Sequence, residues 1–169
     1  MNPVLDAWNA ADTFEASQAM LACCGAQRWA DQMVAFRPIS NIVMLSEAAD
    51  QVWAAMGESD WLEAFARHPR IGERKAPSAS EQSSSWSQQE QSGTTIATQS
   101  TLRQIAEGNA LYEQRFGFTF IVCATGKSAE EMLAILRRRL ANTRVAELRE
   151  AAEQQRQIMQ IRLGKWLVS

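Results

Sequence analysis

Helical spacing of apolar residues along most of the chain is the feature that most restricts its fold. Apolar side chains recur three and four positions apart over 13–24, 26–36, 47–56, 60–67, 101–115, 129–142 and 143–167. Only Phe118 to Ala124 has the composition of a buried strand, and a single strand has no neighbour with which to form a sheet. We therefore predict an all-α, bundle-like fold of about eight helices. A short extended or irregular segment near 118–124 interrupts it, and its backbone amides need a partner such as a ligand.

The stretch from Glu73 to Gly93 differs from the rest of the chain. It consists mainly of Ser, Gln and Glu, and Trp86 is its one large apolar residue. Such a stretch has little to bury, so we predict a loop that is either functional or disordered. By contrast, Ser128 and Glu131 have the spacing of a capping box, which predicts the start of a helix.

Length and charge limit the class of protein. A chain of 169 residues with 46% hydrophobic content can bury one sizeable core, and we predict a single domain over residues 1–169. Seventeen basic and nineteen acidic residues give a net charge of -2, which argues against nucleic acid or a membrane surface as a partner. Small molecules or proteins are the expected partners.

Cysteine usage and the chain ends indicate the compartment. Cys23, Cys24 and Cys123 are few, odd in number and partly adjacent, which favours a reducing cytosol. With one histidine and no Cys-x-x-Cys pair, an ordinary zinc site cannot form, so we predict a metal-free protein. The N-terminus lacks a secretory pattern, no apolar run reaches about 20 residues, and the last residues, 166–169, are not a peroxisomal signal of the Ser-Lys-Leu type. We therefore predict a cytoplasmic protein.

The single histidine, His68, is the first candidate for chemistry. Its unperturbed pKa of about 6.5 allows both uptake and release of a proton near neutral pH. Pro69 disfavours helical geometry at His68, so we expect the imidazole at the end of a helix, a position that suits a catalytic group. The alternative is an imidazole that bonds nearby carbonyl groups for structural reasons.

Three polar residues of the Ser-rich stretch suit a small polar ligand. If residues 87–91 form a helical turn, Ser87, Glu90 and Gln91 share one side. They would then supply a hydroxyl, a carboxylate and an amide to a urea-like group. The alternative is a solvated loop with an ordinary serine cap.

Arg162 is the last candidate, because it lies on the apolar stripe of the final helix between Ile158 and Trp166. A buried guanidinium needs a partner, and a carboxylate matches its geometry best. A structural ion pair within the protein, or an aliphatic stem that carries the charge out to solvent, explains the same position.

Four motifs occur in one order along the chain. They are His68-Pro69-x-Ile71-Gly72, Ser87-x-x-Glu90-Gln91-x-Gly93, Asn109-x-x-Tyr112-x-x-Arg115-Phe116-Gly117-Phe118-x-Phe120-Ile121-Val122-Cys123 and Ile158-x-x-Ile161-Arg162-Leu163. Together they resemble the 2-oxo-4-hydroxy-4-carboxy-5-ureidoimidazoline (OHCU) decarboxylases of urate breakdown. The resemblance covers almost the whole chain, and the four motifs together are far more specific than any one of them.

The resemblance implies an all-helical, cofactor-free carboxy-lyase, a homodimer, that converts OHCU into S-allantoin and carbon dioxide. His68 and Glu90 would form its catalytic pair. The substrate site would be lined by Pro69, Ser87, Gln91, Arg162 and the backbone of Phe118, Thr119, Phe120 and Ile121.

Three features depart from the family's pattern. Thr119 stands where many relatives have proline, which adds one backbone N–H, and the Ser-rich run 78–85 lies between the two catalytic residues. The peroxisomal ending of eukaryotic members is absent.

Two other functions are compatible with the same residues. One is a non-catalytic helical module with Trp53, Trp61 and Trp86 as an interaction surface, in which His68, Glu90 and Arg162 need not converge. The other is hydrolysis of a hydantoin-like ring by the same His-Glu pair, which would open the ring and release no carbon dioxide.

Overall fold

Helices are the regular secondary structure of the described part of the protein. The structure, a computed structural model, describes residues 1–73 and 80–169. These residues form nine α-helices and one 3₁₀ helix, with no strand among them, which confirms the all-α prediction. The helices are α1 Pro3–Ala10, α2 Thr13–Cys23, α3 Gln27–Ala35, α4 Ile42–Ala54, α5 Glu58–Phe65, α6 Glu81–Glu90, α7 Gln99–Phe116, α8 Ala129–Arg139 and α9 Arg144–Trp166, with the 3₁₀ helix Ser92–Ile96 after α6.

The prediction of a loop over 73–93 is wrong for its second half. α6 begins after Ser80, whose hydroxyl accepts a hydrogen bond from the backbone N–H of Ser83 at 3.1 Å. The buried side chains of α6 are mostly polar, so apolar periodicity could not reveal this helix. Residues 74–79 of the predicted loop lie outside the described part of the chain.

Other helix boundaries follow local capping. α1 was not predicted, because eight residues offer little periodicity, yet Asn2 caps it and Trp8 is buried. α4 begins five residues earlier than the apolar pattern indicates, since Asn41 accepts from the N–H of Met44 at 2.9 Å. The capping box at the start of α8 is present as predicted.

The segment after α7 is irregular and buried, as predicted. Gly117 ends α7 in the left-handed conformation, with a φ of 83°, which a residue without a Cβ adopts at no steric cost. From Phe118 to Ala124 the chain forms neither helix nor strand, yet every side chain except that of Thr119 is buried. The predicted strand propensity therefore reflects burial and not sheet formation.

Contacts divide the chain into two compact units, each with buried apolar side chains. Unit 1 comprises residues 1–64 and 156–169, and its fully buried side chains include Leu5, Met20, Trp29, Met33 and Leu45. Unit 2 comprises residues 65–155, and its fully buried side chains include Tyr112, Ile121, Met132 and Leu136. No helix in the described ranges is long and apolar enough to cross a bilayer.

Candidate active site around His68

His68 stands just beyond the end of α5, as predicted, and its ring has a partner on α9. Its Nε2 lies 2.7 Å from Oε1 of Gln155, a residue of unit 2 that is completely buried. Because a carbonyl oxygen only accepts, this contact places a hydrogen on Nε2. Sequence reasoning missed Gln155, although it lies on the buried stripe of α9 four residues after Ala151 and three before Ile158.

The polar face of α6 is buried, which is unusual for these residue types. Ser87 and Glu90 lie in α6 and Gln91 directly follows it, as the predicted helical turn requires, and all three residues are less than 9% exposed. The side chain of Gln91 reaches the loop that follows His68, because its Oε1 accepts from the backbone N–H of Gly72 at 2.8 Å. The end of α6 and the His68 loop therefore lie together.

The backbone of the irregular segment offers a run of hydrogen-bond donors. Among the described residues, no acceptor bonds the N–H groups of Phe118, Thr119, Phe120, Ile121 or Val122. Leaving a buried donor without a partner costs about 1–3 kcal/mol. Five consecutive donors therefore suit a ligand that carries carbonyl or carboxylate oxygens.

A buried ion pair between Arg139 and Glu147 contacts the irregular segment through the carbonyl of Ile121. Arg139 of α8 and Glu147 of α9 are both completely buried and form an ion pair, with Nε of Arg139 2.7 Å from Oε1 of Glu147. Arg139 also donates to the backbone carbonyl of Ile121, and its guanidinium lies 4.7 Å from the centre of the Phe120 ring. The carbonyl of Ile121 is thus bonded by the protein, whereas the N–H groups from Phe118 to Val122 have no acceptor in the described structure.

Tyr112 completes this network. Its hydroxyl donates to Glu147, and its ring contacts those of Phe118 and Phe120 at 5.7 and 5.3 Å between centres. Burial, together with the hydrogen bond to the Glu147 carboxylate, raises the pKa of Tyr112 well above its ordinary value. The hydroxyl therefore remains a donor at neutral pH.

Two adjacent glutamines of α9 link the segment to His68. Oε1 of Gln154 accepts from the N–H of Cys123 at 2.8 Å, and Oε1 of Gln155 contacts His68 at 2.7 Å. Phe65, three residues before His68, also contacts the Phe118 ring at 5.4 Å between centres. The structure thus brings together the His68–Pro69 loop, the end of α6 and the segment 118–123.

Arg162 belongs to unit 1, where it is 2% exposed, so its predicted burial is confirmed. Its Nη1 donates to the carbonyl of Ala22 at 3.4 Å. The neighbouring Cys23 and Cys24 are free thiols whose pKa burial raises to about 12, although the charge of Arg162 acts in the opposite direction. A role for Arg162 in the substrate site stays a prediction.

A cavity of about 370 Å³ lies beside the chain that follows His68. It is lined in part by Arg70, Gly72, Asn109 and Glu113. Arg70 and Glu113 form a two-pronged ion pair at 2.6 and 2.9 Å, so their charges neutralise each other. Because Glu73 also lines the cavity, the described lining carries one net negative charge, which does not favour an anionic ligand. Within residues 1–73 and 80–169, no group of three His, Cys, Asp or Glu side chains could hold a metal ion.

The fold and the site together define an all-α protein in which one imidazole is held among buried polar groups, an arrangement suited to acid–base chemistry on a small polar molecule. The OHCU decarboxylase family model matches residues 9–164, and the chain belongs to this family.

Known proteins of this family and fold are similar to the chain. The uric acid degradation bifunctional protein TTL of Arabidopsis thaliana is 39% identical over 145 residues, which are 85% of this chain and 44% of that protein. The 2-oxo-4-hydroxy-4-carboxy-5-ureidoimidazoline decarboxylase of Amia calva is 33% identical over 96 residues, 57% of this chain and 55% of that protein. The chain thus spans about half or less of the length of these two curated relatives.

Solved structures extend the similarity to the fold. A crystal structure of OHCU decarboxylase in the presence of (S)-allantoin matches with a TM-score of 0.75 and 34% identity, and the match covers 88% of this chain and 96% of that one. A crystal structure of (S)-allantoin synthase matches with a TM-score of 0.71, over 96% of this chain and 53% of that one. At 18% identity, the second likeness shows the fold alone.

Proposed function

We propose that this chain catalyses the decarboxylation of OHCU to S-allantoin and carbon dioxide without a cofactor. The observation that carries the proposal is the match to the decarboxylase whose crystal structure was determined in the presence of (S)-allantoin, because it extends over 96% of that chain at 34% identity. The buried polar groups around His68 supply the chemistry that this reaction needs.

The substrate contains its own electron sink. One ring carbon carries the carboxylate and a hydroxyl, and it lies next to a ring carbon–nitrogen double bond. When the bond to the carboxylate breaks, its electron pair moves toward this imine, and the imine nitrogen takes up the charge. The imine nitrogen is then protonated, the hydroxyl loses its proton as its oxygen becomes the ring carbonyl, and the ureido-bearing carbon gains a proton. Two protons are taken up and one is released, so one proton is consumed overall. The enzyme must orient the carboxylate and stabilise the ring anion.

His68 is the proposed proton carrier. It exchanges a proton with the substrate hydroxyl or with the developing ring anion. Glu90, buried on α6, would orient the imidazole and stabilise its protonated form. Pro69, buried directly after His68, would form part of the wall of the site.

The remaining polar groups are proposed to bind the ring and the ureido group. The unpaired N–H groups from Phe118 to Ile121 match carbonyl and carboxylate oxygens, and donors aimed at charge that develops in the transition state lower the barrier. Ser87 and Gln91 present a hydroxyl and an amide, which fit the donors and acceptors of a ureido group. Gln91 is held in place by Gly72.

Arg162 is proposed to contact the ring or the ureido group rather than the departing carboxylate. A guanidinium that binds the carboxylate tightly stabilises the ground state and slows decarboxylation. We expect Arg162→Lys to raise KM and to leave kcat nearly unchanged, because the interaction is equal in the substrate and the transition state.

We also propose that the protein acts in the cytoplasm as a homodimer. Its three cysteines are free thiols, which is usual in a reducing compartment. Ile42, Val43 and Met44 at the start of α4 are between 48% and 65% exposed, and three consecutive exposed apolar side chains suit an interface between copies of the chain.

The direct test is an assay of allantoin formation. OHCU is generated freshly from urate with urate oxidase and hydroxyisourate hydrolase, the protein is added, and circular dichroism of allantoin is followed. We expect rapid growth of the signal of one enantiomer, together with release of carbon dioxide. A slow, racemic background would refute the proposal, and ring opening without carbon dioxide would indicate a hydantoin-type hydrolase instead.

Two variants assign the chemistry to residues. His68→Asn keeps a side chain that forms hydrogen bonds but cannot carry a proton, and we expect it to lose most turnover, about 100-fold or more. Glu90→Gln keeps the shape of the side chain and removes its charge. We expect kcat to decrease by a larger factor than the factor by which KM changes. Far-ultraviolet circular dichroism of each variant verifies that the fold is retained.

A further inference from the structure

Gln155, which contacts His68, lies outside the four sequence motifs, and its position suggests a function of its own. Gln155 lies on the buried stripe of α9, between the apolar residues Ala151 and Ile158. An amide that is completely buried on such a stripe costs free energy unless both of its ends are bonded. Only its oxygen is bonded among the described residues, because Nε2 of Gln155 is buried without an acceptor there. A polar group kept at such a cost is typical of a functional position.

We propose that Gln155 is a positioning residue that selects the tautomer of His68. Its carbonyl oxygen holds a hydrogen on Nε2, so the lone pair of the neutral ring lies on Nδ1. Nδ1 is then the nitrogen that takes up and returns the proton during turnover. Glu90 would stabilise the charged ring, and Gln155 would determine which nitrogen reacts. The catalytic part of this inference rests on the proposed function, whereas the tautomer does not.

The position of Gln155 on a long helix explains how its amide can hold one orientation toward the imidazole. α9 extends from Arg144 to Trp166, and the preceding residue, Gln154, is itself bonded to the backbone of Cys123. The amide is therefore held by a regular helix whose neighbouring side chain is also fixed. The reverse arrangement, with the amide nitrogen donating to Nε2, would put the hydrogen on Nδ1, and the two arrangements give opposite tautomers.

Because His68 is the only histidine, nuclear magnetic resonance can read the tautomer directly. The protein is labelled with ¹⁵N-histidine, prepared without a histidine tag, and studied at a pH where the ring is neutral. We expect a protonated, pyrrole-type signal for Nε2 and an unprotonated, pyridine-type signal for Nδ1. The opposite pattern in the wild-type protein would overturn the proposal, and this reading needs no variant that folds.

Variants at position 155 test whether Gln155 determines the tautomer of His68. Gln155→Met has a similar length and no amide, so we expect a mixture of tautomers and a fall in kcat of about 10- to 100-fold with little change in KM. Gln155→Glu keeps an acceptor and should keep the hydrogen on Nε2. Gln160→Met is the matched control, since this glutamine of α9 bonds Ser46 and Asp50 and should leave the imidazole signals unchanged.

Each outcome bears on one claim alone. If Gln155→Met keeps the wild-type nitrogen signals and kcat, Gln155 does not select the tautomer. If the wild-type protein forms allantoin but carries its hydrogen on Nδ1, the inference fails and the proposed function stands. If no allantoin forms although Nε2 carries the hydrogen, the proposed function fails and the assignment of the tautomer stands.

Discussion

The buried ion pair behind the irregular segment allows a quantitative prediction, because the chain provides its own control. Arg138 and Arg139 are adjacent on α8, and each pairs with a glutamate of α9, Glu150 and Glu147 respectively. The side chains of Arg139 and Glu147 are 0% exposed, whereas those of Arg138 and Glu150 are 59% and 28% exposed. The two pairs therefore differ in burial, and Arg139 also donates to the backbone carbonyl of Ile121.

Replacing Arg139 with Met leaves the carboxylate of Glu147 buried without its charged partner. Removing one member of a buried pair costs about 3–5 kcal/mol, and loss of the donor to the carbonyl of Ile121 adds about 1 kcal/mol. We expect the free energy of unfolding to fall by about 4–6 kcal/mol in total. Arg138→Met removes an exposed pair, and we expect a loss of no more than about 1 kcal/mol.

Urea unfolding followed by tryptophan fluorescence measures both variants. Arg139→Lys is included because it keeps the charge but not the planar fork, so it should fall between the other two. The double variant Arg139→Met, Glu147→Leu removes both charges and should be more stable than Arg139→Met alone, since no lone charge remains buried. If Arg139→Met and Arg138→Met lose equal stability, burial does not determine the strength of these pairs.

Three further predictions follow from packing and titration. A Cβ at Gly93 would lie 2.3 Å from the backbone oxygen of Lys127, so Gly93→Ala should lose about 1–3 kcal/mol of stability in urea, and an unchanged midpoint would contradict the contact. Burial raises the pKa of Cys23 and Cys24 from 9.0 to about 12, so between these pH values the unfolded chain releases protons that the folded protein keeps. Stability should therefore decrease as pH rises above about 9, and the loss should be smaller in a variant with both cysteines replaced by Ala; equal losses would refute this cause. Val43→Glu should convert the proposed dimer into a monomer in size-exclusion chromatography with light scattering, and an unchanged mass would exclude this surface.

Local signals account for the parts of the fold that the sequence predicted. The capping box of Ser128 and Glu131 and the apolar stripe of α7 depend on residues three or four positions apart, so the chain itself contains the information. The position of His68 just beyond a helix follows from Pro69 in the same way. The motifs also identified the family before any geometry was known, because their order and spacing are properties of the sequence.

α6 is a helix that local sequence signals did not predict. Its buried face consists of Ser87, Glu90, Gln91 and further serines, and a polar pattern of this kind is the same in a solvated loop and in a buried helix. Burial of such residues depends on partners such as Gly72, which the sequence cannot pair with Gln91. The sequence thus indicated which residues share a side, but not that this side is buried.

The sequence by itself determined the all-α class, most of the helices and the family, since these depend on periodicity, capping and motif order. Only the tertiary structure decided which polar groups meet. Gln155 lies 87 positions from His68 along the chain, and Arg139 reaches the carbonyl of Ile121 across 18. Hydrogen bonds between such distant residues form only after packing has brought their elements together, and no local pattern encodes them.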